Sequence, residues 1–299
     1  MKRILTWVLP IAAAAYLAYL LAESDLPRLL GYLQADSLTI AAVTAVFYGV
    51  ALYLLAGAWA ATLRHLAPGP VDLVAAIRAY TLSTFAKYLP GNVFHYAGRQ
   101  IAVARMGHGQ KAPAQATVVE ISGHLVAAGC LLAILLPFAS NDLAWLGPLL
   151  GNWPLVLLTI AAVAGTATLL LRRRGIRLWP ALPLRLLGCL FLIQFTFFAL
   201  AVLLGALLAA NMLGLPVASL PAIAFAYLLA WLVGFLTPGA PGGLGVREAC
   251  LVAALQGYGD LSAILAFAAL SRAALLSGEV LFTLSGLLLT PKAPRAATT

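Results

Sequence analysis

Long apolar runs separated by short polar stretches dominate the chain. Six of these runs have the length of a transmembrane helix, because about 20 residues with a rise of about 1.5 Å each span the hydrocarbon core. The six runs are residues 4–22, 38–63, 114–139, 153–171, 184–213 and 261–290. The pattern predicts an all-α polytopic membrane protein with six full crossings.

Two further apolar regions, residues 71–106 and 220–256, are interrupted by helix-breaking residues. The breaks contain Pro90, Gly91 and Asn92 in the first region and Pro238, Gly239, Pro241, Gly242, Gly243 and Gly245 in the second. Proline removes a backbone donor and glycine lowers helix propensity, so neither region continues as one helix. A bilayer tolerates broken backbone only where it is buried in protein or lines a wet cavity. The breaks therefore predict two re-entrant helical hairpins, which brings the total to about eight hydrophobic spans.

The composition supports the same class of protein. Hydrophobic residues make up 63% of the 299 residues, charged residues make up 9%, and the mean hydropathy is +1.01. These values are typical of polytopic membrane proteins and exclude a separate soluble domain within residues 1–290. Residues 291–299 are predicted to be a disordered cytoplasmic tail. Three cysteines lie far apart in apolar segments, which is typical of core residues rather than of disulfides or metal ligands; they are Cys130, Cys189 and Cys250.

The net charge of +9 is distributed unevenly across the predicted membrane. With the N-terminus in the cytoplasm, the inner side receives Lys2, Arg3, Arg64, Lys111, Arg172, Arg173, Arg174, Arg177, Arg185, Lys292 and Arg295. The outer side receives Glu23, Asp25, Arg28, Asp36, Asp142 and Asp260. Because cytoplasmic loops carry an excess of Lys and Arg, this asymmetry predicts that both termini are cytoplasmic.

A spacing repeats between the two halves of the chain. Pro90 precedes Arg99 by the same number of residues that separates Pro238 from Arg247, and an apolar run containing charged residues follows each arginine. Each half thus holds three crossings and one hairpin. Since three crossings are an odd number, the pseudo-repeats 1–139 and 153–290 are predicted to be inverted relative to each other. Inverted-repeat transporters have this layout, with the binding site near the midplane at broken helices.

Three arginines, Arg99, Arg247 and Arg272, are expected at membrane depth. An arginine at a helix centre costs about 2.5–3.5 kcal/mol on insertion scales, so each needs a compensating partner. One interpretation is that buried ion pairs with glutamates fix the hairpins against the bundle. The other is that the arginines bind a phosphate group, because guanidinium donors match phosphate oxygens and the N-terminus of a half-helix attracts anions. Both interpretations stay open from the sequence alone.

The candidate site contains two groups of residues. Candidates for substrate binding are Lys87, Asn92, His95, Arg99, Gly242, Gly243, Arg247 and Arg272. Candidates for ion pairing or proton coupling are Glu120, His124, Glu248 and Glu279. Glu120 and His124 share a helix face and could pass a proton, although a buried histidine that is simply hydrogen-bonded is the commoner case. No nucleotide-binding or catalytic motif is present, and no cofactor or metal ion is expected.

Two motifs, KYLPGNVFHYAGR (residues 87–99) and TPGAPGGLGVREA (residues 237–249), resemble the lysylphosphatidylglycerol synthase transmembrane-domain family. That family includes the flippase half of the bacterial multiple-peptide-resistance factors, and the resemblance covers roughly residues 4–290. It implies movement of a lipid headgroup across the bacterial inner membrane. The carried-over motif residues are Lys87, Pro90, Gly91, Asn92, Arg99, Pro238, Gly239, Pro241, Gly242, Gly243, Gly245, Arg247 and Glu248. The family's cytosolic aminoacyl-transferase domain is not expected in this chain.

The sequence therefore favours a flippase or scramblase that moves an anionic phospholipid or a polyprenyl-phosphate-linked headgroup. One alternative is a membrane enzyme, or an enzyme subunit, that acts on a polyprenyl phosphate beside a separate synthase or glycosyltransferase. A purely structural partner of such a synthase is the third hypothesis. A homodimer stays open, and no nucleic-acid partner is expected.

Overall fold

The computed structural model describes residues 15, 17–20, 22, 26–89, 93–139, 180–237 and 239–291. The predicted crossing at 153–171 and most of the one at 4–22 lie outside these residues, as do Asn92 and the tail from residue 292. The described part of the chain is helical and contains no strand. Five of its helices are long and apolar enough to cross a membrane, which is typical of a membrane-embedded protein.

Eight of the nine α-helices of the described residues follow the predicted segments closely, and the first lies in a stretch that was predicted as a loop. They are α1 (Leu26–Gly31), α2 (Ala35–Leu66), α3 (Leu73–Ser83), α4 (Phe94–Arg105), α5 (Lys111–Ala139), α6 (Leu184–Leu213), α7 (Leu220–Leu236), α8 (Val246–Leu255) and α9 (Leu261–Ser285). Short 3₁₀ turns extend or connect them at Thr84–Tyr88, Val217–Ser219, Pro241–Gly243 and Gly286–Leu288. The predicted bounds of α6 match the observed ones, and most other ends differ by a few residues.

Local chemistry explains where several of these helices begin and end. Asp260 caps α9 by accepting a hydrogen bond from the backbone N–H of Ala263 at 3.0 Å. Asp72 caps α3 in the same way through the N–H of Val74 at 2.8 Å. Such caps satisfy backbone donors that the first turn of a helix leaves without partners. Helix α6 ends at Gly214, which adopts the left-handed conformation common after helix C-termini.

Among the described helices, α2 and α9 pack against each other most extensively, and they run in the same direction. Gly49 and Gly278 face each other so closely that a Cβ at Gly49 would lie 2.7 Å from the carbonyl oxygen of Gly278. Further along, the hydroxyl groups of Tyr53 and Ser285 are hydrogen-bonded at 2.6 Å. Small residues allow this approach because helices inside a membrane associate through close packing and interhelical hydrogen bonds rather than the hydrophobic effect.

The outward face of the bundle is strongly apolar. Phe47, Phe138 and Leu192 are each about 60% exposed, although a soluble protein buries most side chains of this kind. Large contiguous apolar surfaces mark contact with a membrane or a partner. Combined with the five long apolar helices, this surface is suited to contact with lipid tails.

Both interrupted regions fold back on themselves inside the bundle. Helices α3 and α4 pack together, with Gly98 against the side chain of Ser83. Helices α7 and α8 pack in the same manner, with Gly234 of α7 against the Cβ of Arg247 on α8. The end of the Thr84–Tyr88 turn meets the second break where the ring of Tyr88 lies against Gly242. This meeting point positions the charged residues described next.

Candidate functional site

A cavity of about 900 Å³ lies between the two interrupted regions. Its lining comes from the two interrupted regions and from helices α2, α5, α6 and α9. The basic residues that line it are Lys87, Arg99, Arg247 and Arg272, and the acidic residues are Glu120 and Glu279. The size suits a ligand of several hundred Å³, because binding pockets for small molecules commonly occupy about 300–1,000 Å³.

Arg99, on α4, is held by a carboxylate and an aromatic ring. Its guanidinium lies 2.6 Å from Glu120 of α5, and both side chains are buried. The hydroxyl of Tyr80 donates to the other carboxylate oxygen of Glu120 at 2.6 Å. The guanidinium carbon also lies 3.5 Å from the centre of the Tyr80 ring. The charge of Arg99 is therefore compensated within the protein by an ion pair and a cation–π contact.

Glu279 of α9 gathers the donors next to the first break. Lys87 lies 2.5 Å from one carboxylate oxygen, and the hydroxyl of Tyr88 donates to the other at 2.8 Å. The hydroxyl of Tyr48 lies 3.5 Å from the same carboxylate. These contacts tie the end of the first interrupted region to α9 and pair Lys87 with a carboxylate.

Arg272, on the same helix as Glu279, is engaged by the second break. Its Nη2 donates to the backbone oxygen of Gly242 at 2.8 Å, and its Nε lies 3.5 Å from Glu248. The other carboxylate oxygen of Glu248 accepts a hydrogen bond from the N–H of Gly245 at 2.7 Å. Glu248 thus caps its own helix, α8. The N–H of Gly245 is therefore already hydrogen-bonded, although the sequence predicts that backbone donors at this helix start are available to a phosphate group.

Arg247 differs from the other cations of the cavity. Within the described residues it makes no ion pair and no side-chain hydrogen bond, and its guanidinium carbon lies 4.9 Å from the centre of the Tyr227 ring. The residue is only 8% exposed, yet it lines the cavity. A buried cation without a carboxylate partner is costly in an apolar interior, so this position favours an anionic guest.

The charge balance of the site points in the same direction. Four basic side chains and two carboxylates line the cavity, and Glu248 adds a third carboxylate behind Arg272. One positive charge, that of Arg247, is left without a compensating carboxylate among these seven groups. Arginine presents planar donors that match phosphate and carboxylate oxygens, so the site can bind either type of anion.

The two histidines of the cavity have different surroundings. His124 lies with its Nδ1 2.7 Å from the backbone oxygen of Glu120, so this nitrogen donates to a carbonyl. The side-chain carboxylate of Glu120 instead faces Arg99 and Tyr80. The geometry therefore matches a hydrogen-bonded histidine more closely than a direct carboxylate–imidazole proton pair. His95 is buried at the cavity wall beside the ring of Tyr96.

Most of the predicted site residues are brought together. Those that line the cavity are Lys87, His95, Arg99, Glu120, His124, Gly242, Gly243, Arg247, Arg272 and Glu279. Glu248 lies behind Arg272, and Asn92 lies outside the described residues. Sequence reasoning missed the tyrosines Tyr48, Tyr80, Tyr88 and Tyr227, because aromatic residues in apolar segments look like ordinary core. The position of Tyr88 between Lys87 and the Pro-Gly break was the one local signal available.

No protein-family model matches the chain, and the search of curated proteins returns no match. The resemblance of the two motifs to the lysylphosphatidylglycerol synthase transmembrane domain therefore stays a prediction. Function is argued below from the fold and the site.

Proposed function

We propose that the protein is a flippase or scramblase that moves a lipid with an anionic, phosphate-containing headgroup across a membrane. The observation that carries this proposal is the buried guanidinium of Arg247, which faces a cavity of about 900 Å³ without a carboxylate partner among the described residues. A phosphate headgroup would supply the missing negative charge. The guest is an anionic phospholipid or a polyprenyl-phosphate-linked molecule.

The rim of the cavity favours a lipid over a soluble anion. Val93, Phe94 and Leu236 line the cavity and are nevertheless 56%, 45% and 54% exposed. An opening lined by exposed apolar side chains suits a ligand whose tail stays in the hydrocarbon while its headgroup enters. A soluble anion would gain nothing from such a rim.

The proposed topology has six full crossings and two re-entrant hairpins related as an inverted repeat, with both termini in the cytoplasm of a bacterial inner membrane. Contacts between helix ends are consistent with it. Arg28 and Asp260, both assigned to the outer side, lie 3.1 Å apart. At the opposite end of α9, the hydroxyl of Thr283 donates to the backbone oxygen of Thr81 on α3. Rocking one half against the other around the cavity would then expose it to each leaflet in turn.

The test is translocation of fluorescent phosphatidylglycerol in vesicles that contain the purified protein. The wild type should speed exchange between leaflets, and Arg247→Ala should return it to the rate of protein-free vesicles. Arg247→Lys, which keeps the charge, should retain part of the activity. Arg64→Ala removes an exposed arginine at the end of α2 and serves as the matched control.

The same vesicles separate the flippase from its alternatives. With a polyprenyl phosphate added to these vesicles, a new lipid species detected by mass spectrometry would favour a membrane enzyme acting on that lipid. Unchanged translocation by a folded Arg247→Ala protein would remove the role proposed for this residue. A structural partner of a synthase would move no lipid in any variant.

A further inference from the structure

An aromatic wall, defined as His124, Trp231 and Phe235, borders the cavity. The rings of Trp231 and Phe235 are stacked, with centroids 5.0 Å apart and planes 11° apart. The His124 ring lies 6.4 Å from each and is inclined by 26° and 15° to them. Three nearly parallel rings thus line one side of a cavity whose other lining residues include four cations.

The aromatic wall is fixed from behind by buried groups. Phe198 is 2% exposed and meets Trp231 edge-on at 4.5 Å and His124 edge-on at 5.5 Å. The ring of His124 is further oriented by its hydrogen bond to the backbone oxygen of Glu120. Edge-to-face and offset-stacked pairs are the preferred aromatic geometries, so the wall is preorganised. Phe198 does not line the cavity, whereas the three wall rings do.

A phosphate group alone leaves most of this cavity unfilled. The faces of aromatic rings carry partial negative charge and attract the polarised C–H face of a saturated polyol ring. The carboxylates of Glu120 and Glu279 also line the cavity and are acceptors for hydroxyl groups. Once the phosphate has compensated the charge of Arg247, an ammonium group on the same headgroup would instead leave the site with an excess positive charge.

We propose that the headgroup is a phosphodiester that carries a polyhydroxylated six-membered ring, such as a hexose or an inositol, and that this ring lies against the aromatic wall. This inference rests on the proposed function, since it places the phosphate at Arg247. The charge balance requires only an anionic headgroup, whereas the aromatic wall favours a headgroup with a ring. A diacyl tail and a polyprenyl tail are both compatible with this headgroup.

The experiment is a binding competition, followed by native mass spectrometry, between three lipids with identical acyl chains. Phosphatidylinositol carries the polyol ring, phosphatidylglycerol has the same charge without a ring, and phosphatidylethanolamine carries an ammonium group. The wild type should prefer phosphatidylinositol over phosphatidylglycerol about fivefold, as expected for one aromatic contact, and should bind phosphatidylethanolamine least. Equal occupancy by the first two lipids would overturn the proposal.

Two variants separate the aromatic wall from general packing. Trp231→Leu should remove most of the preference for phosphatidylinositol while leaving the occupancy by phosphatidylglycerol nearly unchanged. Phe195→Leu, which changes the aromatic pair of Phe191 and Phe195 on α6 outside the lining, should keep the preference. An unchanged preference in Trp231→Leu would overturn the proposal, and so would a loss of all three lipids together, which indicates packing of a tail. Because binding is measured without transport, a protein that binds but does not translocate would refute the flippase function alone.

Discussion

The guanidinium of Arg99 and the carboxylate of Glu120 form a buried ion pair at 2.6 Å, beneath the ring of Tyr80. Removing one member of such a pair leaves an uncompensated buried charge, whereas replacing both with apolar groups is often tolerated. The ion pair is thus a structural element of the cavity wall, and its chemistry differs from that of Arg247.

The first prediction concerns this pair. Glu120→Ala should lower the free energy of unfolding by about 3–5 kcal/mol, because Arg99 stays buried without its counterion. The double variant Arg99→Leu with Glu120→Leu should recover much of that loss. Apparent melting temperatures in detergent measure both effects. A single variant that melts like the wild type would show that the pair contributes little to stability.

A second prediction concerns the charge of the cavity. Glu279→Gln removes a lining carboxylate, so the neighbouring Lys87 becomes available to an anion. Binding of phosphatidylglycerol should tighten by about tenfold, equivalent to about 1.4 kcal/mol. Lipid titration monitored by native mass spectrometry measures the change. The control Asp36→Asn removes an exposed carboxylate of α2 that does not line the cavity and should leave binding nearly unchanged; equal effects of the two variants would argue against electrostatic control by the lining.

The third prediction addresses the contact between Tyr88 and Gly242. Gly242 has a φ of +58°, and a Cβ built there would lie 2.5 Å from the ring of Tyr88. Gly242→Ala should destabilise the protein by about 1–3 kcal/mol, because it combines backbone strain with a steric clash. Thermal unfolding compares it with Gly257→Ala, where nothing lies within 4 Å of the new Cβ. Equal melting temperatures of the two variants would contradict the close contact of Tyr88 with Gly242.

The fourth prediction concerns the close approach of α2 and α9. Gly49→Ala should lower stability by about 1–3 kcal/mol, because the new methyl group overlaps the backbone of Gly278. Gly57→Ala on the same helix meets no atom within 4 Å and should leave the melting temperature unchanged or raise it slightly. The reverse order of the two melting temperatures would show that α2 and α9 are not packed as described.

The fifth prediction is a dependence on pH outside the membrane-spanning segments. The hydroxyl of Tyr32 donates to Asp260, and with the N–H of Ala263 and the charge of Arg28 it lowers the pKa of that carboxyl below its usual value. A carboxyl group whose pKa is lower in the folded state stabilises the fold at pH values above its unfolded pKa of about 3.9. This contribution to stability is lost as the pH falls through the folded-state pKa.

Asp260→Asn keeps a residue that can cap α9 but removes the charge. The wild type should therefore melt at a higher temperature than this variant at pH 7, and the difference should shrink below about pH 4. Melting curves between pH 3 and pH 7 supply the comparison, with the exposed Asp36 of α2 as the site of a control Asp→Asn substitution. A difference that grows towards low pH would contradict the assigned sign.

The helices of this fold were accessible from the sequence because their signals are local. Apolar run length predicts α6, and proline with glycine predicts the interruptions that follow Tyr88 and Leu236. The clustering of charged residues was also accessible, since intramembrane charges need partners. The pairing within the cluster was not predictable from the sequence. Glu279 pairs with Lys87, and Glu248 lies near Arg272, only because separate segments pack side by side.

The sequence contains one indication that Arg247 has no carboxylate partner among the described residues. Glu120 lies 21 residues after Arg99, and the same spacing from Arg247 leads to Ala268, which has no charge. The aromatic wall had no comparable signal, because Trp231 and Phe235 lie in an apolar helix where large rings are expected in any case. Tertiary packing alone decides that these rings face the cavity.

The most direct test of the central claim is an experimental structure of the protein in a bilayer nanodisc that contains phosphatidylglycerol and phosphatidylinositol. A lipid-binding role for Arg247 predicts phosphate density within hydrogen-bonding distance of its guanidinium, with Arg99 still paired to Glu120 and the lipid tail leaving past Phe94 and Leu236. A cavity without lipid, in which Arg247 is paired with a carboxylate of the protein, would contradict it.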